Sequence, residues 1–265
     1  MNPVSPLFGK IDASVEKKVD LIDNSWARYA LRATLACLFL TLGTAVAFAI
    51  AMKGESIAHG FGKILYAFMF SWSLVMILYM NAELGTSNML YMTVGVYRKR
   101  LKISKATKIL GTCLLFNLIG GLLFGGLVSA TTPFQNLTLD NYMMEAIATK
   151  LTKSTTTILI EAIFANIVVN TAVLISMRMK DDAGKVLTIV FIIFIFAFLG
   201  YEHVIANFPA FTLAFFASNG QMDAMTLGNI GHNLLFALIG NYIGGGLIMG
   251  LGYAWLNQSK SAYVD

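Results

Sequence analysis

Apolar runs occupy about 29–51, 62–97, 108–130, 156–177, 186–208 and 231–256, each bounded by polar or charged positions. Five have the length of one bilayer crossing, which takes about 20 predominantly apolar residues. The second does not fit. Phe61 to Tyr97 is too long for one straight span and too short for two spans with an external turn, and it carries Asn81, Glu83, Gly85, Thr86, Ser87 and Asn88 in its middle. A carboxylate in hydrocarbon is costly unless it faces protein or water, and irregular backbone at that depth must be shielded from lipid. The pattern therefore predicts two half-helices joined by a buried loop. A similar insertion, Tyr201-Glu202-His203-Val204-Ile205-Ala206-Asn207, is bracketed by Gly200 and Pro209 and predicts a second break, in the fifth span.

The basic residues set an expected sidedness. Arg98, Lys99, Arg100, Lys102, Lys105 and Lys108 separate spans two and three, and Arg178, Lys180 and Lys185 separate four and five. With Lys10, Lys17, Lys18, Arg28, Arg32 and Lys260, one side receives 15 of the 19 Lys and Arg. The positive-inside tendency puts both termini in the cytoplasm. Spans one to three then begin inside and four to six outside, the arrangement of an inverted three-plus-three repeat. Asn117-Leu118-Ile119-Gly120-Gly121 in span three is echoed by Asn241-Tyr242-Ile243-Gly244-Gly245 in span six, with Gly126 and Gly250 at equal distances from the two asparagines. Small residues let helices approach closely, and a buried asparagine can reach a carbonyl or amide left unpaired by a break.

Composition agrees with one membrane domain. Of 265 residues, 57% are hydrophobic and 12% charged, against roughly 25% charged in soluble domains. We expect a cytoplasmic amphipathic segment at 1–27 lying along the interface, a membrane domain at 28–257 and a cytoplasmic tail at 258–265. The mixed charges of the first thirty residues argue against a secretory signal peptide. The net charge of +5 does not point to nucleic acid, because the basic residues lie between apolar segments and form no stripe with interleaved aromatics. Cys37 and Cys113 fall inside apolar runs and read as buried small hydrophobes. No metal site, cofactor or covalent catalysis is expected.

His203 is the first candidate for chemistry. It follows Glu202 and precedes Asn207 by four residues, at the predicted break of span five. Imidazole can exchange a proton near neutral pH, donate a hydrogen bond while neutral, and attract an anion when charged. A bare anion meets a large desolvation barrier in a narrow apolar pore, and a shared proton lowers it. Glu83 and Glu202 are expected behind the loops, accepting from the exposed amides of half-helix N-termini. Thr86, Ser87 and Asn88 suit either a solute or helix capping. Lys150 and Lys153 precede span four near the expected outer mouth. Asn166 and Asn170, four apart, share one face of span four. Among Phe191, Phe194, Phe196, Phe198 and Phe208, one or two near His203 could form an apolar constriction. His59 and His232 fall near the expected outer ends of spans two and six.

These residues resemble the formate/nitrite transporter family, which includes hydrosulfide channels. The resemblance rests on Ala82-Glu83-Leu84-Gly85-Thr86-Ser87, on Asn117-Leu118-Ile119-Gly120-Gly121, on Glu161-Ala162 with Asn170, on Glu202-His203-Val204-Ile205-Ala206-Asn207 and on Gly240-Asn241-Tyr242-Ile243-Gly244-Gly245, over about 28–257. It implies an aquaporin-like protomer with its own pore, assembled as a homopentamer in the inner membrane among lipids. It also implies a pore-facing histidine at His203 with Asn170 nearby, the broken-span threonine at Thr86, and a vestibule lysine close to Lys153. Two departures bear on formate selectivity. The family commonly has a phenylalanine narrowing the pore between the leucine and threonine of the second-span motif, where this chain has Gly85, and Asn166 stands where a small glycine is usual.

The expected function is a channel or facilitator for small monovalent weak-acid anions, formate, nitrite or hydrosulfide, with His203 sharing or donating a proton. A water or neutral-solute channel and a non-transporting membrane scaffold are the alternatives.

Overall fold

In hydrocarbon a backbone amide has no water to bond, so apolar runs close their hydrogen bonds within helices. The computed structural model describes residues 5–257; the expected tail at 258–265, with Lys260, lies outside them. Among the described residues the regular elements are all helical. An amphipathic α1 (Pro6–Asn24) precedes α2 (Trp26–Glu55). The second span runs as α3 (Phe61–Phe70) and α4 (Trp72–Tyr79), breaks, and resumes as α5 (Gly85–Tyr97). Then come α6 (Ile103–Ser129), a short α7 (Tyr142–Leu151) and α8 (Thr155–Arg178). The fifth span is α9 (Asp182–Leu199), broken before α10 (Val204–Ala217), and the sixth is α11 (Leu227–Asn241), a wider π-helical stretch (Tyr242–Leu251) and α12 (Gly252–Leu256). Six apolar spans result, making this a multi-pass membrane protein.

Three details differ from the sequence reading. Pro209 does not bracket the second insertion: it sits inside α10, and the break is confined to 200–203. The π-helical stretch is new. It begins where Asn166 Nδ2 on α8 takes the Asn241 carbonyl at 2.7 Å, and a side chain inserted into the helical ladder widens it. Gly244 is obligatory there, since a Cβ on it would stand 2.1 Å from the Ile163 carbonyl oxygen.

The third difference is α1. Its apolar positions Leu7, Phe8, Ile11, Val15 and Ile22 recur at helical spacing, and they are buried against Tyr29, Ala33, Leu90 and Val94 within the protein rather than lying free along the interface. Asp12 fastens the helix, accepting from Arg98 Nε and Nη2 at 3.0 Å each and from Arg100 Nη2 at 2.7 Å. Burial alone would raise the Asp12 pKa, but the hydrogen bonds and charges of the two guanidiniums outweigh it and hold the carboxyl below its usual value. A depressed folded pKa means that this attachment is complete above the ordinary aspartate range and is lost as pH falls through the depressed value. We expect Asp12→Asn to lower stability by about 2 kcal/mol, the scale of hydrogen bonds to charged groups. Limited proteolysis should then release α1 at neutral pH in the variant, while the parent protein resists cleavage until strongly acid conditions.

Candidate pore

Each break exposes helix-end groups that need partners, and one buried asparagine supplies them in each half. Asn117 on α6 donates from Nδ2 to the carbonyls of Ala33 (2.7 Å) and Glu83 (2.9 Å), and its Oδ1 accepts from the Gly85 amide at 2.9 Å. Asn241 on α11 donates to the carbonyls of Ala162 (2.7 Å) and Glu202 (3.0 Å), and its Oδ1 accepts from the Val204 amide at 2.9 Å. The two halves thus use the same three bonds, carbonyl of the preceding span, carbonyl of the loop glutamate, first amide of the half-helix.

Because the asparagines take the amides, the glutamates bond elsewhere, contrary to the expectation from sequence. Glu83 Oε2 accepts from Lys18 Nζ at 2.5 Å and Asn88 Nδ2 at 3.1 Å. Glu202 Oε2 accepts from Asn207 Nδ2 at 2.8 Å and Asn233 Nδ2 at 3.2 Å and pairs with Lys150 at 3.1 Å, while its Oε1 accepts from Lys153 at 2.8 Å. In both halves an asparagine five residues later and a lysine from the helix before the preceding span hold the carboxylate.

His203 joins the halves. Its Nδ1 accepts from the Ala206 amide at 3.1 Å, capping α10. With that lone pair used, the neutral ring carries its hydrogen on Nε2, which lies 2.8 Å from Thr86 Oγ1 in the first turn of α5. The imidazole is 3% exposed and edge-on to Phe196, with ring centroids 5.7 Å apart.

Cavities approach this ring from opposite ends. One of about 410 Å³ opens on the α7 side and is bordered by Lys150, Lys153 and Asn207. Another of about 390 Å³ opens on the α1 side and is bordered by Lys18, Glu83 and Asn88. Between them a chamber of about 20 Å³ has His203 at its edge and Leu74, Val169 and Ile193 among its walls. Phe70 and Phe196 border both the chamber and the α7-side cavity; Ile77 and Leu84 border both the chamber and the α1-side cavity. The space between these two apolar constrictions holds about one water.

Thr86 and His203 are therefore brought together, with Asn207 and Lys153 at one cavity. Asn170 is placed differently: its Nδ2 bonds the Asn166 carbonyl and Oδ1, both at 2.9 Å, and Val169 takes the chamber wall instead. Asn166 is the α8 asparagine linked to Thr86, donating to its carbonyl at 3.2 Å. Lys153 is not a bare positive charge, since Glu161 at 2.5 Å and Glu202 at 2.8 Å both pair with it. His59 bonds Glu55 and His232 bonds Thr155, both away from the chamber. Sequence reasoning picked Phe196 within a group of five and missed Phe70 and Ile77. These two lie on either side of the junction between α3 and α4.

Gly85 opens α5 at the first break. A side chain there points away from the chamber: its Cβ would meet Leu114 Cδ2 at 2.8 Å, Asn117 Oδ1 at 3.0 Å and Ile205 Cδ1 at 3.3 Å. The lack of a ring at this position does not widen the path, because Leu84 and Ile77 narrow it. Gly85→Phe should disrupt the Asn117 bonds and reduce yield of folded protein in size-exclusion chromatography. A well-assembled variant with altered solute preference would restore the constriction reading.

Six spans, two of them broken near a shared imidazole, with cavities opening from opposite ends, are the architecture of a membrane transporter. The chain belongs to the formate/nitrite transporter family: the model described as "Formate/nitrite transporter" matches residues 6–255. It is accordingly a transporter and not an enzyme. It is 28% identical over 255 residues to the nitrite transporter NirC of Salmonella typhimurium, covering 96% of this chain and 92% of that one. A solved structure described as an FNT family ion channel superposes with a TM-score of 0.87 at 26% identity, covering 94% of this chain and 98% of the other. A second, a pentameric formate channel with formate bound, gives 0.72 at 21% identity, covering 87% and 96%, and shares the fold.

Proposed function

We propose that this protein is a channel or facilitator carrying small monovalent weak-acid anions, formate, nitrite or hydrosulfide, across the inner membrane. The observation that carries the reading is His203 Nε2 beside Thr86 Oγ1, with the ring set between two apolar constrictions and its Nδ1 occupied by the Ala206 amide. An anion entering the chamber leaves most of its water behind, at a cost that grows in low dielectric. The Nε2–H, turned from Thr86 to the solute, shares a proton with it, and the Thr86 hydroxyl becomes a second donor. Full donation requires an imidazolium, which must place a hydrogen on Nδ1 and give up the Ala206 bond. Sharing is therefore the resting mode, and donation follows only when α10 loses its cap.

The matched bonds of Asn117 and Asn241 support an inverted three-plus-three repeat of aquaporin-like design. The bias of Lys and Arg toward the α1 side supports cytoplasmic termini. Likeness to a pentameric channel supports a homopentamer, each protomer with its own pore.

A liposome flux panel across pH tests the reading. Formate, nitrite and hydrosulfide should pass, with chloride excluded. Water permeability with no anion flux would favour a neutral-solute channel, and no flux of any kind a scaffold.

A further inference from the structure

The α7-side cavity has an aromatic wall that passage of a small anion does not require. Phe48 on α2, Tyr66 and Phe70 on α3, Tyr142 on α7 and Phe196 on α9 all border it. Their rings touch in sequence. Tyr66 lies 4.9 Å from Phe48, 6.1 Å from Tyr142 and 5.8 Å from Phe70, centroid to centroid, and is stacked on Phe70 with 13° between the ring planes. Phe70 in turn lies 5.8 Å from Phe196, the ring that meets His203. A continuous aromatic face therefore runs from the mouth to the constriction. On the α1 side Tyr79 and Tyr91 border the cavity, and they make no ring contact with each other.

The second observation is polar. The hydroxyls of Tyr66 and Tyr142 make no hydrogen bond among the described residues, and neither oxygen is shut off from solvent, so both are open donors. Charge, by contrast, is balanced here. Lys63, Lys150 and Lys153 on the border are offset by Glu145 and Glu161 there and by Glu202 behind, with Lys150 and Lys153 both paired to glutamates. Free charge is therefore not what this cavity offers an occupant. It offers flat apolar surface, two phenol donors and a volume of about 410 Å³, within the roughly 300–1,000 Å³ of sites that take drug-sized molecules.

We propose that the α7-side cavity is a binding site for aromatic monocarboxylates, which lay their ring on the Tyr66 and Tyr142 wall, accept from the two phenol hydroxyls through the carboxylate, and block the path. Offset and edge-on ring contacts add to the apolar area such a molecule buries, and phenol bonds to a carboxylate are charge-assisted. The ring cannot follow a small anion past Phe70 and Phe196, because the chamber beyond them measures about 20 Å³ and holds about one water. The block rests on the anion-transport reading, but binding can be measured without transport.

Benzenesulfonate is the probe, because it keeps the ring and a monovalent oxyanion, stays ionised at every working pH and does not cross lipid; methanesulfonate, which lacks the ring, is the control. Binding is read on the purified full-length protein in detergent from line broadening of the probe's protons, and block from formate flux in proteoliposomes with the probe on both faces. Benzenesulfonate should bind saturably and inhibit, at concentrations where methanesulfonate does neither. Tyr66→Phe keeps the stack on Phe70 and removes only the hydroxyl. It and Tyr142→Phe are each expected to raise the dissociation constant and the half-inhibitory concentration about tenfold, the loss of one charge-assisted bond. Tyr91→Phe, in the α1-side cavity, should change neither. No saturable binding in the parent, values within twofold of the parent in both loss variants, equal potency of methanesulfonate, or a shift with Tyr91→Phe alone overturns the site. If Tyr66→Phe fails to assemble, Tyr142→Phe decides. Formate flux that saturating benzenesulfonate leaves untouched would sink the block and leave the transport reading standing; tyrosine-dependent binding in a protein without formate flux would keep the site and sink that reading.

Discussion

His203→Asn is expected to lower weak-acid anion flux by about 10- to 100-fold, the loss of one hydrogen bond to a charged group converted to rate. Asparagine is a good N-cap, so its Oδ1 can take over the Ala206 amide that Nδ1 now holds. It is too short to reach Thr86 as Nε2 does. The substitution therefore keeps the half-helix end and removes the pore donor. Stopped-flow flux in proteoliposomes measures the rate, and size-exclusion chromatography checks assembly. The remaining flux should also lose any dependence on imidazole protonation. Parent-level flux at every pH, from intact oligomers, would show that the ring only caps α10.

Asn241→Ala is expected to produce the largest loss of stability. It strands the Ala162 and Glu202 carbonyls and the Val204 amide. At about 1–3 kcal/mol for each buried unpaired group, the sum is comparable to the whole stability of many domains, roughly 5–15 kcal/mol. Asn117→Ala removes the same three bonds in the other half and should behave alike. Heating in detergent followed by size-exclusion chromatography should show both variants aggregating well below the parent. An ordinary melting temperature for either would mean that water replaces the asparagine, and the matched pinning of the breaks would lose its importance.

The breaks were legible in the sequence because a carboxylate in an apolar run demands an explanation that a leucine does not. Glu83 and Glu202 marked both loops, and the Asn-x-Ile-Gly-Gly pair marked the residues that close them. The constrictions were harder to read. In a soluble helix the buried face contrasts with a polar one, but lipid, core and pore wall are all apolar here, so nothing in periodicity separates Phe70 and Ile77 from lipid-facing neighbours. The partners of Lys153 and Asp12 were hidden for another reason. Glu202 and Arg98 are 49 and 86 residues away in sequence, and a positive residue near a membrane end reads as an anchor until its carboxylate is found. At Gly85 direction matters: Leu84, the residue before it, faces the chamber, and a side chain at Gly85 would face α6.

Fastening each loop to a preceding span through one asparagine has a kinetic corollary. Neither loop can swing aside without breaking three buried bonds, so the backbone of the passage stays still while solute goes by. With the backbone held, any widening of the constrictions falls to the side chains of Phe70, Phe196, Ile77 and Leu84. On the channel reading proposed above, throughput is governed by dehydration of the traveller, not by the clock of a rocking carrier.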